Sequence, residues 1–398
     1  MADDWRGSIT FSDRLDMTSQ IGAAYAAANP HAFPTEASKY ARVAESDIRK
    51  HASTLKEYNE QCDAIIQQLL ASATPAPPIP DLHQDEHITS NLPITGGARI
   101  GRYTHAEHIN DGITSEIFRA IDPNSPSPSS SLVALKITNP SMTTPPHDPI
   151  REARLLSQAK GPQIIPLLET FRQPDGHFVL AFPYLPHDLN SLLHSKSLTP
   201  PAWKTVLRDL FAGLAHIHSL GMIHRDIKPS NILLSSTTGP AMLADFGIAW
   251  SPTDSASEPA DAKILDVGTT CYRPPELLFG QSKYGEKLDM WAAGCVAAQV
   301  ICLNGKTLFD AGDLGSELAL IKSIFETLGT PDEGVWPEAK DMPDWGKMHF
   351  VKYPGMAWEE ILPGAEEYGV ELVRNLVRFE SGRRFAAVEA MEHPYLLV

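Results

Sequence analysis

The sequence has few cysteines and no long apolar run, and both shortages narrow the classes of protein it can encode. Its four cysteines stand at irregular spacing and form neither a disulfide framework nor a zinc pattern, so we expect a reducing compartment. The longest uncharged stretch, residues 290–303, is shorter than the ~20 residues that a membrane helix needs and predicts a buried helix. Because Asp3 and Asp4 precede no apolar core, we expect no signal peptide. We therefore expect a nuclear or cytoplasmic protein that does not bind membranes.

Positive charge is also scarce in this chain. Lys and Arg number 33 against 49 Asp and Glu, which gives a formal charge of −16 at pH 7. Such a balance argues against nucleic acid or an anionic membrane as the main partner. It would favour basic peptides or basic protein surfaces, and solubility alone explains it equally well. With 398 residues, of which 42% are hydrophobic, the chain can form an ample core in one bilobal domain or in two domains.

Local composition divides the chain into four segments. Residues 1–36 are weakly patterned, and we expect them to be mostly disordered or loosely helical. Residues 37–71 repeat apolar side chains at three- and four-residue steps without Gly or Pro, which predicts one long helix. The apolar face of this helix is narrow. We favour packing of that face on the chain's own folded body somewhat over self-association with a second copy, so we expect a monomer. Residues 72–91 are rich in proline and predict an extended linker, and residues 92–398 predict the folded body.

The folded body begins with strands and continues with helices. Alternating patterns over residues 100–109, 116–121 and 131–138 predict three antiparallel strands, and residues 149–159 predict a helix. A Pro-Asp-Gly turn within residues 171–178 predicts a hairpin of two further strands. After Asp188 the pattern becomes helical. The order therefore predicts an α+β fold with a small five-stranded antiparallel sheet lobe, residues 92–182, and a larger, mostly helical lobe, residues 186–398.

The residues that can carry chemistry stand in the middle of the chain, in residues 224–231 and 245–247. Asp226 can accept a hydroxyl proton, while Asn231 and Asp245 offer hard oxygen ligands to Mg²⁺. Lys228 can neutralise charge on a phosphoryl group. These stretches, His-Arg-Asp-Ile-Lys-Pro-Ser-Asn and Asp-Phe-Gly, resemble the catalytic and metal-binding loops of protein kinases. The resemblance implies the bilobal protein-kinase fold, ATP and Mg²⁺ as cofactors, and phosphoryl transfer to a protein hydroxyl.

The resemblance extends over about residues 98–398 and includes a phosphate-binding region in the small lobe. Residues 109–117 align with the glycine-rich loop of kinases, although Gly112 alone remains of the three glycines. Lys136 follows Val-Ala-Leu, as does the phosphate-binding lysine of the family, and Glu152 is its implied partner on the next helix. A solvated surface pair is the less favoured alternative, because the apolar strand would otherwise bury the Lys136 charge unpaired.

The resemblance also implies an adenine site between the lobes. Phe182 is the implied gatekeeper, and backbone groups of Pro183 and Leu185 would bind the adenine edge, since proline still supplies a carbonyl. The base would be sandwiched by four apolar side chains, namely Ile109, Ile117, Ala134 and Leu233. Simple core packing is the alternative for these four, and their matched positions alone favour contact with adenine.

Features of the larger lobe point to the cyclin-dependent kinase group. Residues 146–152 resemble the cyclin-contact helix of that group, and residues 305–309 and 328–337 resemble its characteristic insert. Lys228 is the serine/threonine-kinase form of the catalytic loop. Within the substrate-binding segment, residues 267–276, Glu276 is the implied partner of Arg384. Arg273 and Gly268 are compatible with a substrate proline, without establishing that preference.

The activation loop departs from the usual pattern of the group. In the family, an arginine at the position of Arg225 usually senses a loop phosphate, but the usual phosphothreonine position holds Ile264. Three hydroxyl residues nearby are candidate substitutes, namely Thr253, Ser255 and Ser257. This departure is similar to the fungal single-subunit cyclin-dependent-kinase-activating kinases, which are taken to work without cyclin or loop phosphorylation. The similarity implies that a substrate is itself a cyclin-dependent kinase, and it leaves the need for a cyclin-like partner open.

Two other functions remain open from the sequence alone. Asn110 and Ser115 replace the outer glycines of the loop, which favours a pseudokinase scaffold that binds nucleotide or partners without turnover. A complete catalytic set opposes that alternative, consisting of Lys136, Glu152, Asp226, Asn231 and Asp245. A metabolite kinase of the same fold is less favoured, because residues 267–276 match a peptide-binding segment.

Overall fold

A computed structural model describes residues 54–72, 97–112, 115–127, 131–138, 145–302, 305–312 and 315–397, and isolated residues between 17 and 52. The chain divides into two compact units, residues 1–91 and residues 92–398. Each unit has a hydrophobic core of its own.

The N-terminal unit contains helix α1, Leu55–Ser72. Described residues between 40 and 49 are also helical, but Ala52 and Thr54 lie outside any helix, so the single helix expected over residues 37–71 is wrong. Thr54 explains the break, because its hydroxyl accepts a hydrogen bond from the backbone N–H of Glu57 at 3.1 Å. This is the N-cap interaction that starts a new helix.

The described part of residues 1–36 is mostly helical and contributes to the core of the N-terminal unit, so the expectation of disorder is wrong there and the helical alternative fits. Described residues between 17 and 28 are helical, and Ile21 is fully buried. Alanines dominate this stretch, so its apolar periodicity is weak in the sequence. The buried cluster that these helices share comprises Ile21, Ala41, Ile48, Ala52, Tyr58 and Cys62. Of the linker predicted over residues 72–91, all but Ser72 lies outside the described residues.

The small lobe of the second unit is a six-stranded antiparallel sheet in the order β1-β2-β3-β4-β6-β5. Its strands are β1 (Ala98–Ile100), β2 (Tyr103–Asp111), β3 (Ser115–Ile121), β4 (Leu132–Thr138), β5 (Glu169–Arg172) and β6 (Phe178–Pro183). The five predicted strands are present, and β1 is an additional strand of three residues. A strand this short shows too little alternation to be recognised in the sequence.

Helix α2, Pro149–Gln158, connects β4 to β5 and brings Glu152 into the interior of the domain. The Asp148 side chain caps it by accepting hydrogen bonds from the backbone N–H groups of Ile150 and Arg151. Pro149 occupies the first turn, where its missing N–H leaves no helical bond unmade. The inward face of the helix is buried together with Glu152.

The large lobe is mostly helical, with a small three-stranded sheet beside the catalytic loop. The strands are β7 (His187–Asp188), β8 (Ile232–Leu234) and β9 (Ala241–Leu243). The helices are α3 (Leu189–His194), α4 (Pro200–Ser219), α5 (Pro275–Leu278), α6 (Lys287–Cys302), α7 (Glu317–Leu328), α8 (Trp358–Ile361), α9 (Glu367–Leu376), α10 (Ala387–Met391) and α11 (Pro394–Leu397). Helix α6 is buried along nearly its whole length, as the uncharged stretch predicted. In the described part of the chain, no helix has the length and apolar character needed to span a membrane.

Candidate active site

A buried carboxylate at the start of α6 fixes the loop that carries Asp226. Asp289 is fully buried and accepts hydrogen bonds from the backbone N–H groups of His224 and Arg225, each at 2.8 Å. His218 Nε2 lies 2.9 Å from the same carboxylate. Arg225 has a φ of +71°, a conformation that few non-glycine residues adopt. Asp289 therefore holds the loop in a strained conformation directly before the catalytic position.

The carboxylate of Asp226 is oriented by donors from two segments of the chain. Its Oδ1 accepts the backbone N–H of Thr269 at 3.0 Å and the Thr269 hydroxyl at 2.9 Å. Its Oδ2 lies 2.8 Å from Lys228 Nζ and 3.0 Å from Asn231 Nδ2. Lys228 Nζ also donates to the Thr269 hydroxyl at 3.0 Å. The structure thus brings three predicted residues together and adds Thr269, which sequence reasoning had assigned only to the substrate-binding segment.

Three charged side chains meet where the two lobes face each other. Lys136 Nζ lies 2.8 Å from both carboxylate oxygens of Glu152, so the predicted ion pair is confirmed. Asp245 of the large lobe accepts from the same ammonium group at 2.7 Å. Gly247 leaves room for this cluster, since a Cβ there would lie 3.2 Å from Asp245 Oδ1 and 3.5 Å from Glu152 Oε2. One lysine therefore links β4, α2 and the Asp-Phe-Gly segment.

Charge outweighs burial in setting the pKa values of Lys136 and Asp245, whereas burial raises the pKa of Glu152 above its usual value. Burial alone would lower the pKa of Lys136, but the charges of Asp245 and Glu152 raise it above its usual value. Burial would raise the pKa of Asp245, but the ammonium group of Lys136 holds it below its usual range. Lys136 and Asp245 are therefore both charged at neutral pH. That is the state in which one binds phosphate and the other binds a cation.

The predicted metal ligands, Asn231 and Asp245, stand on neighbouring segments. The backbone N–H of Ala244 donates to the Asn231 carbonyl at 2.9 Å, which places Asp245 beside the catalytic loop. The Asn231 amide nitrogen donates to Asp226, which orients the amide. No group of three or more His, Cys, Asp or Glu able to hold a metal ion occurs among the described residues. Mg²⁺ is usually held by one or two carboxylates plus substrate phosphates, and this pair of oxygen donors fits that mode.

The sheet aligns part of the predicted adenine site on one face. Ile117 lies opposite Lys136, and Ala134 lies opposite Phe182, so these side chains point the same way. Leu185 and Leu233 are half-buried against the core of the large lobe, as is Ala134, and Pro183 ends β6. Ile109 is 42% exposed beside a shift in strand register, and Gly112 is exposed at the end of the described part of the loop. Contact of any of these residues with adenine stays a prediction.

The activation segment, defined here as residues 248–274, makes an ion pair that sequence reasoning missed. Both oxygens of Glu258 accept from the guanidinium group of Arg225, at 2.9 and 2.8 Å. Helix α2 is joined to the same segment, since Arg154 donates to Asp254 at 2.8 and 3.0 Å. Among the predicted hydroxyl substitutes, Ser257 accepts from Arg151 at 3.2 Å. A carboxylate, not a hydroxyl, therefore neutralises Arg225.

Two further contacts define the substrate-binding segment. Arg384 donates to both oxygens of Glu276 at 2.6 and 2.7 Å, so this predicted pair is confirmed. Gly268 has a φ of +76°, and its carbonyl accepts from Arg273 Nε at 2.9 Å. An added Cβ at Gly268 would lie 2.7 Å from the carbonyl oxygen of Arg225. The segment therefore packs backbone against backbone on the catalytic loop.

Comparison with known proteins agrees with this geometry. The protein kinase domain family matches residues 103–396. Serine/threonine-protein kinase csk1 of Schizosaccharomyces pombe is 35% identical over 282 residues, which cover 70% of this chain and 89% of csk1. Cyclin-dependent kinase 20 of Danio rerio is 34% identical over 253 residues, covering 63% and 71%. Cell division control protein 2 homolog 3 of Trypanosoma brucei brucei is 32% identical over 300 residues, covering 74% and 91%.

The chain therefore belongs to the protein kinase family, and the predicted bilobal α+β fold is confirmed. Its relatives place it in the cyclin-dependent kinase group, as a protein serine/threonine kinase. Protein kinases use ATP and Mg²⁺ to phosphorylate protein hydroxyls.

Proposed function

We propose that this kinase transfers the γ-phosphoryl group of Mg-ATP to serine or threonine hydroxyls, with Asp226 as the base. The observation that supports this most directly is the convergence of charged groups from both lobes. Lys136 of the small lobe contacts Asp245 of the large lobe at 2.7 Å, and Lys228 contacts Asp226 at 2.8 Å. Catalysis would come from positioning and electrostatic stabilisation, without a covalent enzyme intermediate.

Each residue has a separate part in the proposed reaction. The substrate oxygen bonds to the γ-phosphorus, the bond from that phosphorus to the β–γ bridging oxygen breaks, and Asp226 accepts the hydroxyl proton. Asp226 Oδ1 already accepts the hydroxyl of Thr269 at 2.9 Å, so a hydroxyl donor fits beside it. Lys136 binds the α- and β-phosphates, and Lys228 offsets charge on the group in transfer. Mg²⁺ bound by Asn231 and Asp245 would neutralise phosphate charge.

The remaining predicted residues would bind the nucleotide. In this proposal Phe182 is the gatekeeper, the backbone of Pro183 and Leu185 binds the adenine edge, and Gly112 covers the phosphates. The base would lie between four apolar side chains, namely Ile109, Ile117, Ala134 and Leu233. Glu152 orients Lys136, as the 2.8 Å contacts support.

We also propose that one substrate is another cyclin-dependent kinase and that no cyclin-like partner is required. The support is the similarity to fungal activating kinases noted in the activation loop, together with two contacts within this chain. The Lys136–Glu152 pair, which depends on the position of α2, forms within the single chain. Arg154 ties α2 to Asp254 of the activation segment, so an internal contact holds this helix.

The experiment is to incubate the purified chain alone with ATP, Mg²⁺ and an unphosphorylated cyclin-dependent kinase, beside a generic basic protein. We expect phosphate on the activation-loop threonine of the target, and none when that threonine is replaced by alanine. Asp226→Asn should lower kcat at least about 100-fold, as loss of a general base does, while Mg-ATP still raises the melting temperature. The matched control is Asp175→Asn, which alters an exposed carboxylate in the β5–β6 turn and should keep full activity.

Three outcomes separate the alternatives. Phosphate on the basic protein but not on the target kinase would retain the kinase assignment and reject the activating role. Nucleotide binding with no turnover on either substrate would favour the pseudokinase scaffold, which Asn110 and Ser115 suggest. Full activity of Asp226→Asn would refute the assignment of the base.

A further inference from the structure

The guanidinium group of Arg225 is a buried cation directly before the proposed base. Its side chain is fully buried, and an uncompensated charge in such a place is strongly destabilising. Glu258 supplies the compensation, because its two oxygens accept from both terminal nitrogens of the guanidinium in a bidentate pair. Tyr284 also accepts from Arg225, at 3.1 Å. The fold therefore provides its own anion at this position.

Glu258 is itself held in place by the activation segment. The indole N–H of Trp250 donates to the Glu258 carbonyl at 2.9 Å. Trp250 in turn exchanges two backbone hydrogen bonds with Ile223, at 2.8 and 2.9 Å, immediately before the catalytic loop. Lys263 Nζ lies 4.6 Å from the centre of the Trp250 ring. These contacts fix the carboxylate relative to the loop that it must neutralise.

The position of Arg225 controls both sides of the site. Its N–H bonds to Asp289, and its carbonyl oxygen packs against Gly268 of the activation segment. The next residue along the chain is Asp226, and the residue after Gly268 is Thr269, which donates to Asp226 twice. A movement of Arg225 would therefore displace the base and its orienting donors together.

We propose that Glu258 is a permanent counter-ion that holds the activation segment in its active conformation, so that phosphorylation of this segment is not required. Glu258 is a positioning residue that acts through Arg225 and does not contact the reacting atoms. The inference rests on the proposed phosphoryl transfer at Asp226. The three candidate hydroxyls of this segment would not need modification, because Glu258 already supplies a negative charge to Arg225.

The test compares phosphatase-treated wild-type protein with Glu258→Gln, which keeps the shape of the side chain and removes its charge. Mass spectrometry first verifies that residues 248–274 carry no phosphate. We expect the treated wild type to keep its activity. We expect Glu258→Gln to lose roughly 10- to 100-fold in kcat, the range for a lost hydrogen-bonded charge pair, with little change in KM for ATP. The KM should hold because Glu258 pairs with Arg225, whereas Lys136 is oriented by Glu152.

The matched control is Asp261→Asn, which removes the same charge from an exposed position of the same segment and should leave kcat unchanged. Glu258→Asp keeps the charge on a shorter side chain and should recover part of the activity, which a merely structural role would not predict. If Glu258→Gln does not fold, the activity of phosphatase-treated Glu258→Asp is measured instead. A folded but inactive Glu258→Asp would count against the proposal.

The possible failures can be told apart. Wild-type protein that is inactive on every substrate overturns the proposed function, and this inference with it. Active wild-type protein that loses its activity on phosphatase treatment, or a folded Glu258→Gln with undiminished kcat, overturns the counter-ion role alone.

Discussion

Replacing Glu276 by glutamine should test how much the buried ion pair of the large lobe contributes to stability. Arg384 is 1% exposed and Glu276 is 3% exposed, and two hydrogen bonds of 2.6 and 2.7 Å join them. Arg384 also donates to the carbonyls of Arg378 and Lys287 at 2.8 and 3.0 Å, so it stays buried when Glu276 loses its charge. Glu276→Gln would therefore leave a buried guanidinium without an anion.

The expected loss follows from that burial. Removing one partner of a buried pair costs about 3–5 kcal/mol. For a domain of this size, 1 kcal/mol corresponds to roughly 2 °C in melting temperature, so Glu276→Gln should lower it by about 6–10 °C. The control is Glu107→Gln, in which a 54%-exposed carboxylate pairs with Arg119 at 2.6 Å. An exposed pair contributes about 0–1 kcal/mol, so the control should shift the melting temperature by less than about 2 °C.

The assay is thermal unfolding followed by circular dichroism, at low salt and again at about 0.5 M NaCl. Salt should reduce the small effect of Glu107→Gln and leave that of Glu276→Gln nearly unchanged, because screening acts mainly on exposed charges. Equal shifts for the two variants would refute the argument that burial, rather than pair geometry, determines the loss.

Two further predictions concern the catalytic loop and the activation segment. Gly268→Ala should lower kcat at least about tenfold and should destabilise the protein more than the control Gly364→Ala. Both glycines have a φ of +76°, but of the two only Gly268 has another atom within 4 Å of an added Cβ. Equal melting temperatures and activities of the two variants would contradict this. Burial would raise the pKa of Glu258, but Arg225 lowers it from 4.5 to about 2. The contribution of the charged Glu258 to the stability of the folded protein is therefore complete above about pH 5 and is lost as the pH falls towards 2. The stability difference between wild type and Glu258→Gln, measured by urea unfolding, should therefore be constant from pH 5.5 to 8 and shrink below pH 4.5, and a difference that grows with acidity would rule out the pairing.

The sequence predicted the residues whose chemistry is concentrated in short stretches. Asp226, Lys228 and Asn231 stand within six positions of one another, so their spacing alone indicated a joint site. The partner of Lys136 was predicted only through resemblance, because Glu152 is 16 residues away on another element. Thr269 lies 43 residues from Asp226, and no local pattern shows that its hydroxyl reaches the carboxylate.

The error in the N-terminal unit has a different physical cause. Apolar residues recur in helical phase on both sides of the break, since Ile48, Leu55 and Tyr58 all continue the same period. A periodicity argument therefore joins the two helices. Thr54 can accept a hydrogen bond as an N-cap residue and Glu57 follows three residues later, which indicates that a helix starts here. This local signal overrides the longer apolar period.

The role of Glu258 was not predicted, because in the family the arginine at this position usually senses a loop phosphate, and the resemblance therefore pointed to hydroxyl residues. A carboxylate also replaces only part of what a phosphate can do. A phosphate carries about −1.5 to −2 charges and three acceptor oxygens, whereas Glu258 carries one charge and saturates one guanidinium group. Arg151 contacts the carbonyls of Ala249 and Pro146, the Ser257 hydroxyl at 3.2 Å and, at 3.9 Å, the carboxylate of Asp254.

The arginine cluster formed by Arg151, Arg154 and Arg225 is accordingly short of negative charge. Burial, and then the neighbouring Arg225, lower the pKa of Arg151 below its usual value. Once Glu258 is neutral, Asp254 is the remaining carboxylate that pairs with these arginines, and Arg154 already occupies both of its oxygens. Asp254 therefore cannot take over the neutralisation of Arg225, which is why a single uncharged isostere at position 258 should be enough to weaken the contact between Arg225 and the activation segment, although the bonds of Thr269 to Asp226 remain.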